Sequence, residues 1–205
     1  MLKTRFFVIV SALLLSACSQ HVVLSVDFPE PIVSQLAEPV VVYIAPELRR
    51  YVHRYEPEQG TDWTIVFGDS QEKLFRSVFN GMFEQVELVF DAEAIPEDAT
   101  VLTPVMRDFQ FSTPGMSKTD YYEVWVKYSL RLSRGGGKPL LDWPFTAYGR
   151  EEDGGGRSAA GAMREASRRA MRDAAAAIVL NFLKQPAAKK YFAETTTADS
   201  GRHSP

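Results

Sequence analysis

The chain has 205 residues, 45% of them hydrophobic and 12% aromatic, with a formal charge of −3 at pH 7. That composition excludes a disordered chain and suits one ordinary domain with a core of its own. The mild acidity argues against general nucleic-acid binding, which rests on a basic field.

Met1 to Arg5 carries two positive charges, Phe6 to Leu15 is apolar apart from Ser11, and Ser16-Ala17-Cys18 follows. A basic start, an apolar stretch of about ten residues and small residues at the cut predict a secretory signal over 1–17. The apolar run is about half the length that crosses a bilayer. Leu15-Ser16-Ala17-Cys18 resembles the lipobox of bacterial lipoprotein precursors. The resemblance implies a diacylglyceryl thioether on Cys18 and a third acyl chain on its new amino group, a stable attachment where one chain would bind marginally. Ser19 occupies the position where aspartate retains enteric lipoproteins in the inner membrane, so it resembles an outer-membrane destination with the domain facing the periplasm. Cys18 is the only cysteine, which leaves none for an internal disulfide or a thiolate metal site. Cleavage would leave about 188 residues with a charge of about −5.

Residues 18–38 read as the lipidated N-terminus and a tether, with an edge strand inside it where Val22, Leu24, Val26 and Phe28 alternate with polar neighbours. An α+β domain is expected over 39–186. Val40 to Ile44 is a β-branched run that predicts a buried strand, and Thr61 to Phe67 another, with Trp63, Ile65 and Phe67 on one face. Glu47 to Tyr55, basic and amphipathic, reads as a short helix or an extended connector. A helix then begins at Gly68-Asp69, with Asp69 as cap and Glu72 as its capping-box partner. Its apolar stripe runs through Leu74, Phe75, Val78, Phe79, Met82, Phe83 and Val86. Val86 to Phe90 restarts a strand.

Thr100 to Phe111 reads as a strand with Val101, Val105, Phe109 and Phe111 on one side, and Tyr121 to Ser133 as another. In the second, Tyr122, Val124, Val126, Tyr128, Leu130 and Leu132 face inward, while Glu123, Lys127, Ser129 and Arg131 face water. After the turn at Gly135 to Gly137, Leu141 to Gly149 returns antiparallel. Glu151 to Gly161 is glycine-rich, charged and expected to be mobile. A second helix over Ala162 to Lys184, closed by Pro186, puts Met163, Ala166, Ala170, Ala174, Ala177, Ile178 and Phe182 on one face. The polar tail over 187–205 lacks periodicity and reads as disordered. The expected architecture is a small antiparallel sheet with two helices packed on one face.

Catalytic groups are scarce. Of the three histidines, only His53 lies inside the domain, among Arg49, Arg50 and Arg54, and reads as a solvated surface residue. Gly135-Gly136-Gly137-Lys138 lacks the spacing of a phosphate loop, and Glu151, Glu152 and Asp153 look exposed. An enzyme is not expected. Two basic clusters remain, Arg49, Arg50 and Arg54, then Arg164, Arg168, Arg169 and Arg172 on the polar side of the second helix. Arginine forks suit phosphate and carboxylate, yet arginines opposite an apolar helix face also serve simply as solvated surface, paired with Glu165 or Asp173. Trp125 lies on the wet side of its strand with Tyr121; it marks an interface or lies beneath a second covering layer.

Strand, capped amphipathic helix, long antiparallel strands and alanine-rich helix behind a lipobox resemble the small outer-membrane lipoproteins of the LptE type and the YajG-like lipoproteins. The nearest likeness is Trp63 to Val89. The resemblance implies a protein that assists an outer-membrane barrel in lipopolysaccharide export and binds lipopolysaccharide through basic residues, none of which matches this chain one by one. The expected function is a non-enzymatic accessory or assembly subunit of an envelope complex; the alternative is a module for an anionic envelope ligand such as lipopolysaccharide or phospholipid. No cofactor and no nucleic acid are expected. The expected partners are the membrane through Cys18, an envelope protein and an anionic lipid.

Overall fold

The computed structural model describes residues 19–200, with side chains to 195; the signal segment and Cys18 lie outside the described residues. In chain order the elements are β1 (Ser19–Val23), β2 (Val40–Tyr43), α1 (Pro46–Arg49), β3 (Val52–Tyr55), β4 (Asp62–Val66) and α2 (Ser70–Met82). There follow β5 (Val86–Val89), β6 (Thr100–Ser112), α3 (Pro114–Ser117), β7 (Tyr121–Arg134), β8 (Leu141–Glu152), α4 (Ala159–Asn181) and α5 (Pro186–Ser200).

The fold is α+β, but in place of the expected single antiparallel sheet with two helices the described residues form two sheets and five α-helices. One sheet has the order β1-β4-β3 and the other β5-β2-β6-β7-β8. β1 pairs with β4 in parallel, and β2 lies parallel to both β5 and β6. Alternation of apolar residues tells which face of a strand is buried, not which strand lies beside it. The unbroken Val40-Val41-Val42 run, buried throughout, carries the signature of a strand covered on both faces in a parallel environment. β7 and β8 pair antiparallel as their patterns predict, with Val126 opposite Ala147 and Leu130 opposite Trp143, and β6 pairs antiparallel with β7. Val101, Val105, Phe109 and Phe111 do not share one side as expected: a bulge between Met106 and Asp108 keeps Phe109 and Phe111 on the core face, while Val101 and Val105 lie opposite Ser133 and Ser129 on the other.

The inner face of the larger sheet, α2, α4 and the inward residues of the smaller sheet share one core. Phe75 of α2 meets the ring of Tyr128 at 5.7 Å, and the Tyr128 hydroxyl donates to Gln71 Oε1 at 3.0 Å. The smaller sheet closes one end of this core, where Trp63 meets Phe111 and Tyr122 and Phe67 meets Phe109.

Three expectations change. The tether is built into the fold: Leu24 N–H donates to Val66 O at 2.8 Å, Val26 N–H to Ser70 Oγ at 3.1 Å, and Ser77 Oγ to Phe28 O at 2.9 Å. At Gly81 the absent side chain lets Pro31 lie directly on α2. The capping box does not form, because Asp69 turns instead to Lys73 at 3.0 Å and Glu72 to Arg76 at 2.8 Å. Most of the tail is helical rather than disordered: Pro186 opens α5 and does not merely end α4. Ala188 and Phe192 of α5 are buried, with Phe192 against Phe83 and Phe182, and the Tyr191 hydroxyl lies 2.8 Å from Thr100 Oγ1. Apolar groups at 188, 191 and 192 make a minimal i, i+3, i+4 stripe, too short to stand out in a polar tail.

α4 begins three residues earlier than expected, at Ala159, because Ser158 caps it by accepting from Gly161 N–H at 3.2 Å. Its face of small residues lies so close to β8 that a Cβ on Gly149 would clash with Ala166 O and Ala170 N. Gly149→Ala should therefore lower stability by about 1–3 kcal/mol. Gly136→Ala, in open space, should stay within about 0.5 kcal/mol; urea titration of both variants gives the comparison.

Candidate functional site: the outer face of the long sheet

With the even-numbered side chains of β7 turned to the core, the odd-numbered ones project from the other face, beside the even-numbered ones of β8. No helix among the described residues lies on this face at β7 and β8, and it divides into two zones.

The first is polar. Asp142 accepts from Arg107 Nη2 at 2.7 Å, from Arg131 Nε at 3.1 Å and from the Ser129 hydroxyl. Burial pushes the Asp142 carboxyl up, but the bonds from Ser129 and Arg131 and the charge of Arg107 outweigh it and hold the group below the usual range. Beside this network Lys127 Nζ reaches Asp108 Oδ2 at 3.1 Å. The second zone is aromatic. Trp125 sits opposite Tyr148 across the ladder, with ring centroids 5.4 Å apart. The Tyr148 hydroxyl donates to Glu123 Oε1 at 2.6 Å, and the Arg150 guanidinium lies 4.8 Å over the Tyr121 ring. Tyr148 is 37% exposed and Trp125 and Tyr121 are partly so. Of the two readings that alternation left open for Trp125, the described residues supply no second covering layer.

The free edge of β8 is closed where it adjoins this zone. Asp173 Oδ2 of α4 accepts from Tyr148 N–H at 2.9 Å, and Arg169 Nη1 donates to Arg150 O at 2.7 Å. By the two-residue period of a strand, the nitrogen of Pro144 belongs to the same edge, where it offers no donor. A partner therefore meets the face of this sheet more readily than its edge.

The arginine clusters are largely spent on the fold. Arg49 lies 4.3 Å over the Phe90 ring and 3.7 Å from Glu72, while Arg50 is exposed in a shallow cleft of about 190 Å³. Arg54 stands exposed on β3, in the other sheet. On α4, Arg164 donates to Val23 O at 3.1 Å, and Arg168 and Arg169 both bind Glu165. The Arg168 hydrogen bond, with help from Arg169, holds the Glu165 carboxyl below its usual range. Arg172 is exposed. Glu151, expected in a mobile loop, is buried at the end of β8: Arg157 binds it at 2.8 Å, and Arg169 lies 2.7 Å from its other oxygen, off the hydrogen-bonding direction. A groove of about 520 Å³ with Arg157, Arg164 and Arg168 on its walls also holds Asp27 and Glu165, so its basic groups are already answered.

His53 is not a solvated surface residue either. Its ring packs 4.8 Å from Phe109 and 5.7 Å from Phe111, and burial pushes its pKa down against the opposing charge of Asp108. The alternation of β3 over only four residues was too short to place it. Among the described residues no cluster of three His, Cys, Asp or Glu side chains forms a metal site, and no helix is long and apolar enough to cross a membrane.

No family model and no curated protein matches the chain. Among solved structures, a Xanthomonas campestris protein of the family DUF330 is similar at 15% identity and a TM-score of 0.48, covering 80% of this chain and 92% of its own. A candidate homologue of the neuraminyllactose-binding hemagglutinin from Helicobacter pylori is similar at 14% and 0.44, covering 83% and 100%. A candidate lipoprotein of Caulobacter crescentus is similar at 13% and 0.31, covering 66% and 83%. At these values the likenesses carry no weight for function.

The two titrating groups separate in pH. The depressed Asp142 carboxyl contributes stability that is complete above about pH 4 and fades as pH falls through its lower folded value. Asp142→Asn should lower the urea midpoint at pH 7 and lose that difference in acid; an equal difference at pH 3 would contradict the assignment. For His53 the unfolded chain takes up a proton that the fold resists, so stability should fall as pH drops below about 6.5. His53→Phe should flatten that slope between pH 7 and 5.

Proposed function

We propose that this chain is a non-enzymatic outer-membrane lipoprotein, anchored by lipid on Cys18 and facing the periplasm. In this reading it docks to an envelope protein as an accessory or assembly subunit. The observation that supports it is the open stripe of Tyr121, Trp125, Tyr148 and Arg150 on the outer face of β7 and β8. Tyrosine, tryptophan and arginine are the residues enriched at the centres of protein interfaces. Here they stand pre-ordered by their own contacts, which reduces the entropy lost on docking. The LptE type, which assists an outer-membrane barrel, is the template for this reading.

The alternative, an anionic envelope ligand held by the arginines, is less favoured, because carboxylates and carbonyls already occupy Arg164, Arg168 and Arg169. Exposed Arg50, Arg54 and Arg172 are the groups it would have to use.

Crosslinking and affinity purification from envelopes, with the anchor retained, should recover one stoichiometric envelope protein. Trp125→Ala with Tyr148→Ala should weaken that capture by about thirtyfold, the effect of losing a hot spot worth about 2 kcal/mol, with circular dichroism unchanged. Arg50→Ala, Arg54→Ala and Arg172→Ala together should leave it intact. Capture of lipid without protein, lost with the three arginines and weakened by salt, would instead support the alternative.

A further inference from the structure

The fold begins without a linker. Ser19 is already paired with Asp62, Gln20 with Trp63, and the parallel ladder of β1 on β4 continues to Val23. A free tether over residues 19–38 would reach roughly 65 Å when extended and would let the domain turn in any direction. Instead, one peptide bond, about 3.8 Å between Cα atoms, separates Cys18 from an edge strand of the smaller sheet.

The start of β1 shares its end of the molecule with several other segments. The turn after β3 and the start of β4 lie there, since Tyr55 pairs with Trp63. So do the α3 turn, the start of β7 and the end of β8: Ser112 pairs with Glu123, Tyr121 pairs with Glu152, and Asp153 N–H donates to Asp120 O at 2.8 Å. A single cavity of about 400 Å³ collects Gln20, Tyr55, Gly60, Met116, Asp153 and Ala159 from these segments.

We infer that this end, comprising the 56–61 loop, the 113–120 turn and the 152–158 loop around the start of β1, is a membrane-contact surface seated on zwitterionic phospholipid headgroups. The inference rests on the proposed lipid at Cys18. Acyl chains on Cys18 lie in the hydrocarbon, so Ser19 and everything level with it must lie at the headgroup layer. The rim of this end exposes Met116 and also exposes Glu56, Glu58, Asp120, Glu152 and Asp153 against Lys118 and Arg157, of which Arg157 is already paired with Glu151. A surface of that sign is repelled by anionic lipid, the reverse of a polybasic lipid-binding patch, and it suits a headgroup layer without net charge.

The test uses the full acylated protein in phosphatidylethanolamine and phosphatidylcholine vesicles. Cys18 is the only cysteine, so once it is acylated an engineered cysteine is the sole free thiol. Spin labels at Gln59→Cys and Met116→Cys should be relaxed several-fold more by a nickel-chelating lipid than a label at Lys138→Cys, in the turn between β7 and β8 at the opposite end. Twenty glycine and serine residues inserted between Cys18 and Ser19 should abolish that contrast while leaving the protein on the vesicle. Added phosphatidylglycerol should weaken the contrast. Equal relaxation at the three positions, in protein whose mass confirms acylated Cys18, would overturn the inference, as would a contrast that anionic lipid strengthens. A mass without acyl chains would overturn the anchoring reading and this inference with it.

Discussion

The contact between α4 and β8 governs most of what this molecule presents to its surroundings. It is a backbone-to-backbone approach, with Gly149 against the chain of Ala166 and Ala170 and an alanine stripe on the helix side. A larger residue at either surface would lift the helix and open a gap, and interiors close-packed to organic-crystal density tolerate such gaps poorly. The same proximity lets Asp173 and Arg169 reach the main chain of Tyr148 and Arg150 and close an edge that would otherwise invite strand addition. One helix therefore covers β8 on the inner face beside α2, seals the edge and leaves the outer face as the available surface.

Sequence pattern was most informative where the period was long and the environment two-sided. Twelve or more residues of alternation in β7 and β8 mark the hairpin and its buried face. In β6, by contrast, the bulge between Met106 and Asp108 breaks the alternation and sends Val101 and Val105 to the face opposite Phe109 and Phe111. The stripe of α2 marks every residue buried from that helix except Ser70, Gln71, Ser77 and Gly81. Pairings between strands far apart in sequence left no such trace. β1 joins β4 across more than forty residues, and β2 gains two parallel neighbours, without any local signal that records the choice. In the tether the alternation of Val22, Leu24 and Val26 does mark an edge strand, present as β1, but Val66 and Ser70, which bind Leu24 and Val26 into the fold, lie beyond any local window.

The candidate site was legible in part. Trp125 and Tyr121 were visible as aromatics on a wet strand face, whereas Tyr148 and Arg150 join them only through the register of β8. The arginines were visible as charge and not as partners. Glu165 lies three and four residues from Arg168 and Arg169, a spacing that already suggests pairing on a helix. Glu151 reaches the same group only through the fold, as the buried end of a strand rather than part of a glycine loop. Charge counts along a chain overstate a basic surface when the neutralising carboxylates arrive from another element.

Orientation and interaction surface bear on each other. β7 starts at the end that carries the N-terminus and runs away from it, so Trp125 stands about 13 Å along the strand from Tyr121 at the 3.3 Å rise of extended chain. With the domain seated at that end, the Trp125 and Tyr148 pair would be held just above the headgroup layer, with the Asp142 network farther out. A soluble partner could approach either zone. A partner that itself rises from the membrane would meet the aromatic zone first, already oriented and at fixed height, without any search by a flexible tether. The absence of slack between anchor and fold would then convert a lipid attachment, ordinarily a loose constraint, into a positional one that reduces the entropy lost on association. That reduction favours a stable subunit within the membrane plane over a freely roaming carrier.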